Sequence, residues 1–235
     1  DMAIRMEANN RLEKDGSWHL LLSNISADTA GAIASEDDVG AFSPYGNLNS
    51  DLTRGYFVGQ KPAAICGGEK DLAKMLPGFS DETYPSDNEV IVSGNILDIM
   101  EVHLGDTIML TMPNGGSKVL RIVGFHQDTA VASINDAVVL FTNFKTFEDI
   151  QRSNGEVGAV QYYLQFQDHT NLRKAITRLK EEYSLADDSV SENTYILAMH
   201  LNSGNSYIMG LYLVAAVLAV MVLLAGVFMI AASLN

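Results

Sequence analysis

The last part of the chain carries no charged side chain, and this feature limits what the chain can fold into. All Lys, Arg, Asp and Glu residues lie before residue 193, and residues 207–232 also lack Asn, Gln and Pro. As a helix this run reaches roughly 39 Å, and about 20 apolar residues suffice to cross a bilayer core. A helix buried in a soluble protein is apolar on one stripe, whereas this run is apolar on all sides. The sequence therefore predicts a transmembrane helix at 207–232, with Tyr207 and Tyr212 as anchors at the membrane–water interface.

The rest of the chain has the composition of a water-soluble domain. It carries the whole formal net charge of −14, and it is long enough to bury one good core or two small ones. An acidic surface argues against nucleic acid as a partner, because proteins that bind nucleic acid concentrate Lys and Arg. The single cysteine, Cys66, excludes an intrachain disulfide and a cysteine-rich metal site.

Both ends of the sequence indicate a piece of a longer membrane protein, and at 233–235 the Lys or Arg expected on the cytoplasmic flank of a span is missing. Residue 1 is Asp, and no basic and apolar export signal opens the chain. An outer domain needs such a signal upstream, so we expect an earlier span before residue 1. Residues 1–14 are then a helix that descends from that missing span, and 196–206 are a helix that connects the domain at 15–195 to the bilayer. Residues 1–206 are expected on the extracytoplasmic side of the cell membrane.

The domain at 15–195 alternates strand and helix patterns, which predicts an α+β fold. The clearest element is a hairpin around Asn114-Gly115, whose strands cover 107–112 and 118–125. Further runs rich in apolar and β-branched residues predict strands at 18–22, 62–66, 89–92, 137–141 and 158–166. Gly67-Gly68 is expected to form a turn after the second of these.

Helices are predicted between these strands from caps and periodicity. Ser26 is a plausible N-cap for a helix that runs to Ser35, and further helices are expected at 69–76 and around 143–150. Asp168 is expected to cap a later helix, whose apolar face is formed by Leu172, Ile176, Leu179 and Tyr183.

No pattern of catalytic or metal-binding residues stands out. No two histidines have the i,i+4 spacing of a helical zinc site, and the nucleophile-elbow, S-x-x-K and phosphate-loop patterns are missing. The acidic runs, such as 36–38 and 187–188, lack the calcium-loop pattern, so solvated loop charge is their simpler explanation. Cys66 follows an apolar strand, where a free thiol more often packs than reacts. We therefore predict no catalytic, cofactor-binding or metal-binding residue.

One face of the predicted span carries small residues. At about 100° per residue, Ala215, Ala219, Gly226 and Ser233 fall within about 40° of one another. Such a face allows a second helix to approach closely in lipid. The alternative is that Ala and Gly are simply common in membrane helices, and the sequence favours neither explanation.

The central part of the chain resembles a known family. Residues 83–85 (TYP) lead into 87–93 (DNEVIVS), and LGDTI at 104–108 and KVLRIVG at 118–124 follow. In this order, and ahead of a span, these stretches resemble the outer domain of FtsX-like, MacB-type ABC transporter permeases. Residues 17–26 (SWHLLLSNIS) resemble the strand that follows the first span of that family. The chain departs from the family at 82–83, where Glu-Thr stands in place of a frequent Gly-Arg.

This resemblance implies a fold and a role. Such permeases have four spans, work in pairs with a cytoplasmic ATP-binding subunit, and couple nucleotide-driven closure of the spans to movement of the outer domain. The outer domain has two subdomains, and here the inserted one would cover about 55–155 and the flanking one 15–54 and 156–195. In that arrangement the strands at 18–22 and 158–166 could pair.

We therefore expect a non-catalytic permease subunit of an ABC transporter. The resemblance implies as partners an ATP-binding subunit, a second permease subunit, identical or different, and the lipid bilayer. A membrane-anchored sensor or binding domain without an ATPase partner is the first alternative. An anchored extracellular hydrolase is the second, and it would require a buried acid–base cluster that the sequence does not indicate.

Overall fold

The computed structural model describes residues 16–77, 83–93, 96, 100–126, 137–156, 158–168 and 171–197. Within these ranges the strands are β1 (Leu20–Leu22), β2 (Val39–Leu48), β3 (Phe57–Val58), β4 (Lys61–Gly68), β5 (Glu89–Ser93), β6 (Thr107–Thr111), β7 (Ser117–His126), β8 (Val138–Asn143), β9 (Val160–Phe166) and β10 (Val190–Glu192). The helices are α1 (Ala27–Ala34), α2 (Leu72–Met75), α3 (Phe144–Asn154) and α4 (Leu172–Glu182), and a 3₁₀ turn covers Asp187–Ser189. The predicted α+β class is confirmed.

Four antiparallel strands in the order β10-β1-β9-β2 form the first sheet. Its central pair joins Leu20 to Leu164, so the predicted pairing of the strands near 18–22 and 158–166 is confirmed. One face of this sheet packs against α1 and α4 through a cluster of buried apolar side chains: Leu20, Leu22, Ile33, Leu164, Phe166, Leu172, Ile176 and Leu179. Burial of these side chains, at about 25 cal/mol per Å² of apolar surface, holds the helices on the sheet.

The other six strands form a closed sheet in the order β4-β3-β6-β7-β5-β8, in which β8 pairs again with β4. Its interior is filled by apolar side chains that alternate along each strand, as in Ile108 and Leu110 of β6 and Leu120 and Ile122 of β7. The predicted hairpin at β6 and β7 is confirmed, with Leu110 opposite Lys118 and Gly115 in the left-handed region at φ 82°.

Strand β2 connects the two sheets. Its residues from Val39 to Gly46 pair with β9, and those from Tyr45 to Leu48 pair with β4. A third apolar cluster fills the space beside this crossing and contains Ala41, Cys66, Leu72, Met75, Ile91 and Phe141. Because β2 is continuous through both sheets, the division into an inserted part at 55–155 and a flanking part stays a prediction.

The local helix signals are largely confirmed. Ser26 accepts a hydrogen bond from the Thr29 amide at 3.0 Å and caps α1. Leu172, Ile176 and Leu179 are buried on one face of α4. Asp168, however, does not cap α4, because the N-cap position of this helix is Asn171, three residues later. The Gln167 amide donates to the Asp38 carbonyl at 2.8 Å. The backbone directly before Asp168 therefore still follows β2 and does not yet turn into the helix.

The turn expected at Gly67-Gly68 is wrong, since both residues belong to β4. Gly67 lies opposite Gly46 of β2, and the ring of Phe147 from α3 rests over this glycine pair. A Cβ atom at Gly46 would lie 2.1 Å from the Phe147 ring, and one at Gly67 would lie 2.3 Å from the Phe147 Cβ. The glycines therefore make room for a buried aromatic side chain rather than for a change of chain direction.

Candidate functional site: the segments that lead into and out of the domain

The site residues predicted from the sequence, Tyr207, Tyr212, Ala215, Ala219 and Gly226, lie outside the described residues. Among the residues that are described between 16 and 197, no helix is long and apolar enough to cross a membrane. The candidate site is therefore built from the described segments that lead toward the two predicted connections: the incoming segment (residues 16–19) and the outgoing helix, whose described residues are 194–197.

The incoming segment is bound to α2. The Ser17 amide donates to the Met75 carbonyl at 2.7 Å, and the Ser17 hydroxyl donates to the Lys74 carbonyl at 3.1 Å. The preceding residue, Gly16, has φ 89°, and a Cβ atom there would lie 2.1 Å from the Met75 carbonyl oxygen. Only glycine fits this close approach, because other residues avoid positive φ and carry the Cβ atom that would clash.

The outgoing helix begins directly beside the incoming segment. The amide of the buried Asn193 donates to the His19 carbonyl at 3.0 Å, and its side-chain amide donates to the Gly16 carbonyl at 3.5 Å. The Asn193 side-chain oxygen accepts from the Ile196 amide at 3.4 Å, and its carbonyl accepts from the Leu197 amide at 3.0 Å. Asn193 is thus the N-cap of the outgoing helix and also binds the incoming segment.

His19 connects the incoming segment to the first sheet. It is fully buried, its amide donates to the Leu164 carbonyl at 2.8 Å, and its Nδ1 accepts from the Phe166 amide at 2.9 Å. An Nδ1 atom that accepts a hydrogen bond carries no proton, so the ring is in its Nε2-protonated neutral form. The ring also stacks on Phe166 with centroids 6.0 Å apart.

Hydrogen bonds from β9 also hold the incoming segment. The Gln165 side-chain amide donates to the Ser17 carbonyl and lies within hydrogen-bond distance of the Ser17 hydroxyl, both at 2.9 Å. Next to Ser17, Trp18 meets Tyr163 edge-on at 5.5 Å, and Tyr163 meets Tyr45 edge-on at 5.5 Å. The incoming segment is therefore held by α2, by β9 and by the aromatic side chains at the crossing of the two sheets.

The buried thiol at this crossing is unsuited to nucleophilic chemistry. Cys66 accepts a hydrogen bond from the Tyr45 hydroxyl, with Oη 3.2 Å from Sγ. Burial raises the pKa of the Cys66 thiol and also that of the Tyr45 hydroxyl. A thiol kept protonated is a poor nucleophile, so Cys66 acts here as a packing residue.

The acidic run at 36–38 is not merely solvated loop charge, which corrects the sequence-based interpretation. Arg178 of α4 binds the Glu36 carboxylate at 2.9 Å and both oxygens of Asp38 at 2.9 and 3.0 Å. Hydrogen bonds from Tyr183 and from Arg178 lower the pKa of Glu36, and the same contact raises the pKa of Tyr183 to about 12. This cluster fastens the loop before β2 to α4.

A cavity of 590 Å³ lies where β4 and β8 end and β5 begins. Hydrogen bonds from Lys145 and Asn143 lower the pKa of Asp87 on its wall, so this carboxylate is held as an ionised structural partner of α3. Burial and the nearby charge of Glu148 raise the pKa of Glu69 on the same wall. In the described part of the chain, no group of three His, Cys, Asp or Glu side chains could hold a metal ion.

Sequence reasoning identified this site only in part. It predicted a helix at 1–14, ahead of the incoming segment, and a connecting helix at 196–206. It did not predict that Ser17 binds α2 or that Asn193 binds the incoming segment. An Asn shortly before an apolar run is an N-cap signal, and Asn193, two residues before the run at 195–197, carries this signal.

Comparison with protein-family models and with curated proteins finds no match for this chain. Among solved structures, it is similar to the periplasmic region of MacB from Actinobacillus actinomycetemcomitans, with 12% identity over 82% of this chain and 96% of that chain and a TM-score of 0.51. The extracellular domain of the noncanonic ABC-type transporter YknZ from Gram-positive bacteria matches with 10% identity over 74% of this chain and 98% of that chain, at a TM-score of 0.48. The similarity to the MacB region shows that the chain has the fold of a MacB-like periplasmic domain, which the sequence resemblance had predicted.

Proposed function

We propose that the chain is the outer domain and second span of an ABC transporter permease subunit. In this proposal, ATP is hydrolysed by a cytoplasmic partner subunit, and movement of the spans displaces the outer domain. The chain works beside a second permease subunit and catalyses no reaction itself. The fold supports this role, since MacB, whose periplasmic region has the similar structure, is itself a member of the predicted family.

The observation that carries the proposal is the contact between the incoming segment and the outgoing helix. Asn193 binds both Gly16 and His19, so the two connections of the domain meet at one point. A sensor domain on flexible tethers needs no such contact. A domain that is moved by its spans requires both connections to act on the same rigid body.

The contacts of Ser17 connect the place where the two segments meet to the rest of the domain. The bonds from Ser17 to Met75 and Lys74 bind α2, whose Leu72 and Met75 pack in the cluster beside the crossing of the two sheets. Because protein interiors are close-packed and barely compressible, a displacement of the incoming segment passes to both sheets.

The first test is purification of the full-length protein from its own membrane, with identification of the proteins that accompany it. We expect a soluble ATP-binding subunit in stoichiometric amount. Recovery without any ATPase, under conditions that keep other ABC transporters intact, would refute the proposal and favour the membrane-anchored sensor.

A second test examines coupling through Asn193. In the complex reconstituted into vesicles, the change of distance on ATP addition is measured between dyes attached at Ser117→Cys of two permease subunits. The substitution Asn193→Ala is expected to reduce this change while the ATPase subunit still co-purifies. Asn171→Ala is the matched control, because Asn171 precedes α4 but its side chain makes no cap hydrogen bond. Equal distance changes in both variants would contradict a coupling role for Asn193.

A further inference from the structure

We propose that a groove between α4 and the outgoing helix binds anionic lipid headgroups at the surface of the bilayer. This inference rests on the membrane anchoring proposed above, and it assigns the domain a resting contact with the membrane that the permease role does not require.

The groove has a volume of 420 Å³ and an amphipathic lining. Ile176 and Leu197 form its apolar part, and both are almost fully buried, at 5% and 7% exposure. Its polar part includes Arg173 and Lys180 of α4, and Glu192 lies 3.4 Å from the Lys180 ammonium. Cationic side chains beside a nearly buried apolar floor fit the phosphate of a lipid headgroup, because the cations pair with the phosphate while the acyl chains stay in the bilayer.

The charge at this groove differs from that of the rest of the chain. The 11 residues of α4 hold four Lys or Arg and two Glu, a formal net charge of +2, although the formal net charge of the chain is −14. Lys180 is already compensated by Glu192 and by Asp187, whose carboxylate lies 3.6 Å away. Arg173 and Lys174 are exposed and form no ion pair with another described residue. These two cations are therefore available to an outside anion.

The strand order places these cations at the end of the domain that leads to the predicted span. Since β10 and β9 both run antiparallel to β1, the end of β10, the end of β9 and the start of β1 lie side by side. The outgoing helix follows β10, and α4 begins six residues after the last residue of β9, Phe166. The groove thus lies beside the connections to the membrane.

The length of chain that follows limits how far the bilayer can be. Leu197 lines the groove, and the predicted span begins ten residues later, which corresponds to about 15 Å as a helix and at most about 36 Å if extended. An anionic bilayer surface attracts basic side chains within a Debye length, about 8 Å at physiological salt, and repels acidic surface. A domain this acidic therefore favours orientations in which Arg173 and Lys174 face the headgroups.

The test uses the full chain in lipid nanodiscs, with an environment-sensitive dye on Thr177→Cys, an exposed position in the groove. Cys66 is buried and stays unlabelled. The discs contain a lipid with a quencher on its headgroup, in a background of either phosphatidylcholine alone or phosphatidylcholine with phosphatidylglycerol. We expect quenching about twofold stronger in the anionic discs, and a loss of this difference at about 1 M salt, where the Debye length falls to about 3 Å.

Paired charge variants separate a specific groove from general attraction. Arg173→Gln with Lys174→Gln is expected to reduce quenching in anionic discs to the value in neutral discs. Lys70→Gln with Lys118→Gln removes the same charge at a distance, after β4 and in β7, and is expected to keep the difference. The proposal is overturned if quenching is equal in neutral and anionic discs. It is also overturned if both pairs of substitutions reduce the difference in quenching equally.

Two other outcomes would also overturn it. Shielding of the dye in detergent that increases with protein concentration, without lipid, would mean that a second copy of the chain occupies the groove. Failure of the chain to enter discs at all would refute the membrane anchoring itself. Because entry into discs is measured before quenching, failure of the groove and failure of the proposed membrane anchoring are told apart.

Discussion

The close approach of Gly16 to α2 leads to a quantitative prediction. Replacing Gly16 by Ala places a Cβ atom at a backbone with φ 89°, only 2.1 Å from the Met75 carbonyl oxygen. A side chain at left-handed φ costs about 1–2 kcal/mol. The Cβ atom and the carbonyl oxygen must also separate by about 1.3 Å or more to reach an ordinary contact distance, and this movement breaks the two hydrogen bonds of Ser17 to α2. Each such bond contributes about 0.5–1.5 kcal/mol, so Gly16→Ala should lower the free energy of unfolding by about 2–5 kcal/mol.

Substitutions at two other glycines separate the backbone cost of the added side chain from the cost of the lost contact with α2. Gly155 ends α3 with φ 69°, and a Cβ atom there meets nothing within 4 Å. Gly155→Ala should therefore show the backbone cost alone, about 1–2 kcal/mol. Gly31 lies inside α1, and a Cβ atom there also meets nothing within 4 Å. Gly31→Ala should stabilise the domain by about 0.5–1 kcal/mol, the ordinary helix preference of Ala over Gly.

The assay is urea unfolding of the full chain in detergent, followed by tryptophan fluorescence. Trp18 is the single tryptophan of the chain and lies two residues from Gly16, against Tyr163. Its signal reports the loss of the incoming segment's packing directly. If Gly16→Ala is no more destabilising than Gly155→Ala, the contact with Met75 contributes nothing, and the reasoning about the incoming segment is wrong.

Three further predictions concern other parts of the chain. Gly67→Ala should destabilise the domain by about 1–3 kcal/mol, because the added methyl group meets the Phe147 Cβ and displaces this residue of α3; urea unfolding measures this, and an unchanged midpoint would contradict it. The hydrogen bonds to Glu36 lower its pKa, so they stabilise the fold above the pKa of an unfolded Glu, about 4.3, and this stability is lost as the pH falls through the lowered value; thermal unfolding of Glu36→Gln should show a weaker acid dependence than the parent, and parallel pH profiles would count against it. Ala219→Leu should weaken complex assembly or ATPase coupling and leave the outer domain folded, whereas Ala216→Leu, about 60° away on the helix, should not; equal ATPase rates and yields of complex would exclude the small-residue face.

The sequence determined most of the local structure of this domain. The cap at Ser26 and the turn at Asn114-Gly115 were predicted in place, because cap and turn chemistry act within a few residues. The apolar face of α4 followed from its 3.6-residue period. The resemblance of 87–124 to MacB-type permeases, in turn, predicted the fold. The predicted span at 207–232 rests on the sequence alone, since it lies outside the described residues.

Only the tertiary structure decided which residues form the candidate site and which structural role Gly67 has. Ser17 binds a residue 57 positions away, and Asn193 binds one 177 positions away. Gly67 had the sequence signal of a turn, and only its pairing with Gly46 and Thr142, which are distant in the sequence, assigned it to a strand. The same holds for Glu36, whose partner Arg178 lies 142 positions away. Local chemistry selects strand, helix and turn, whereas contacts between distant residues depend on how the elements pack, and no pattern within a few residues contains that information.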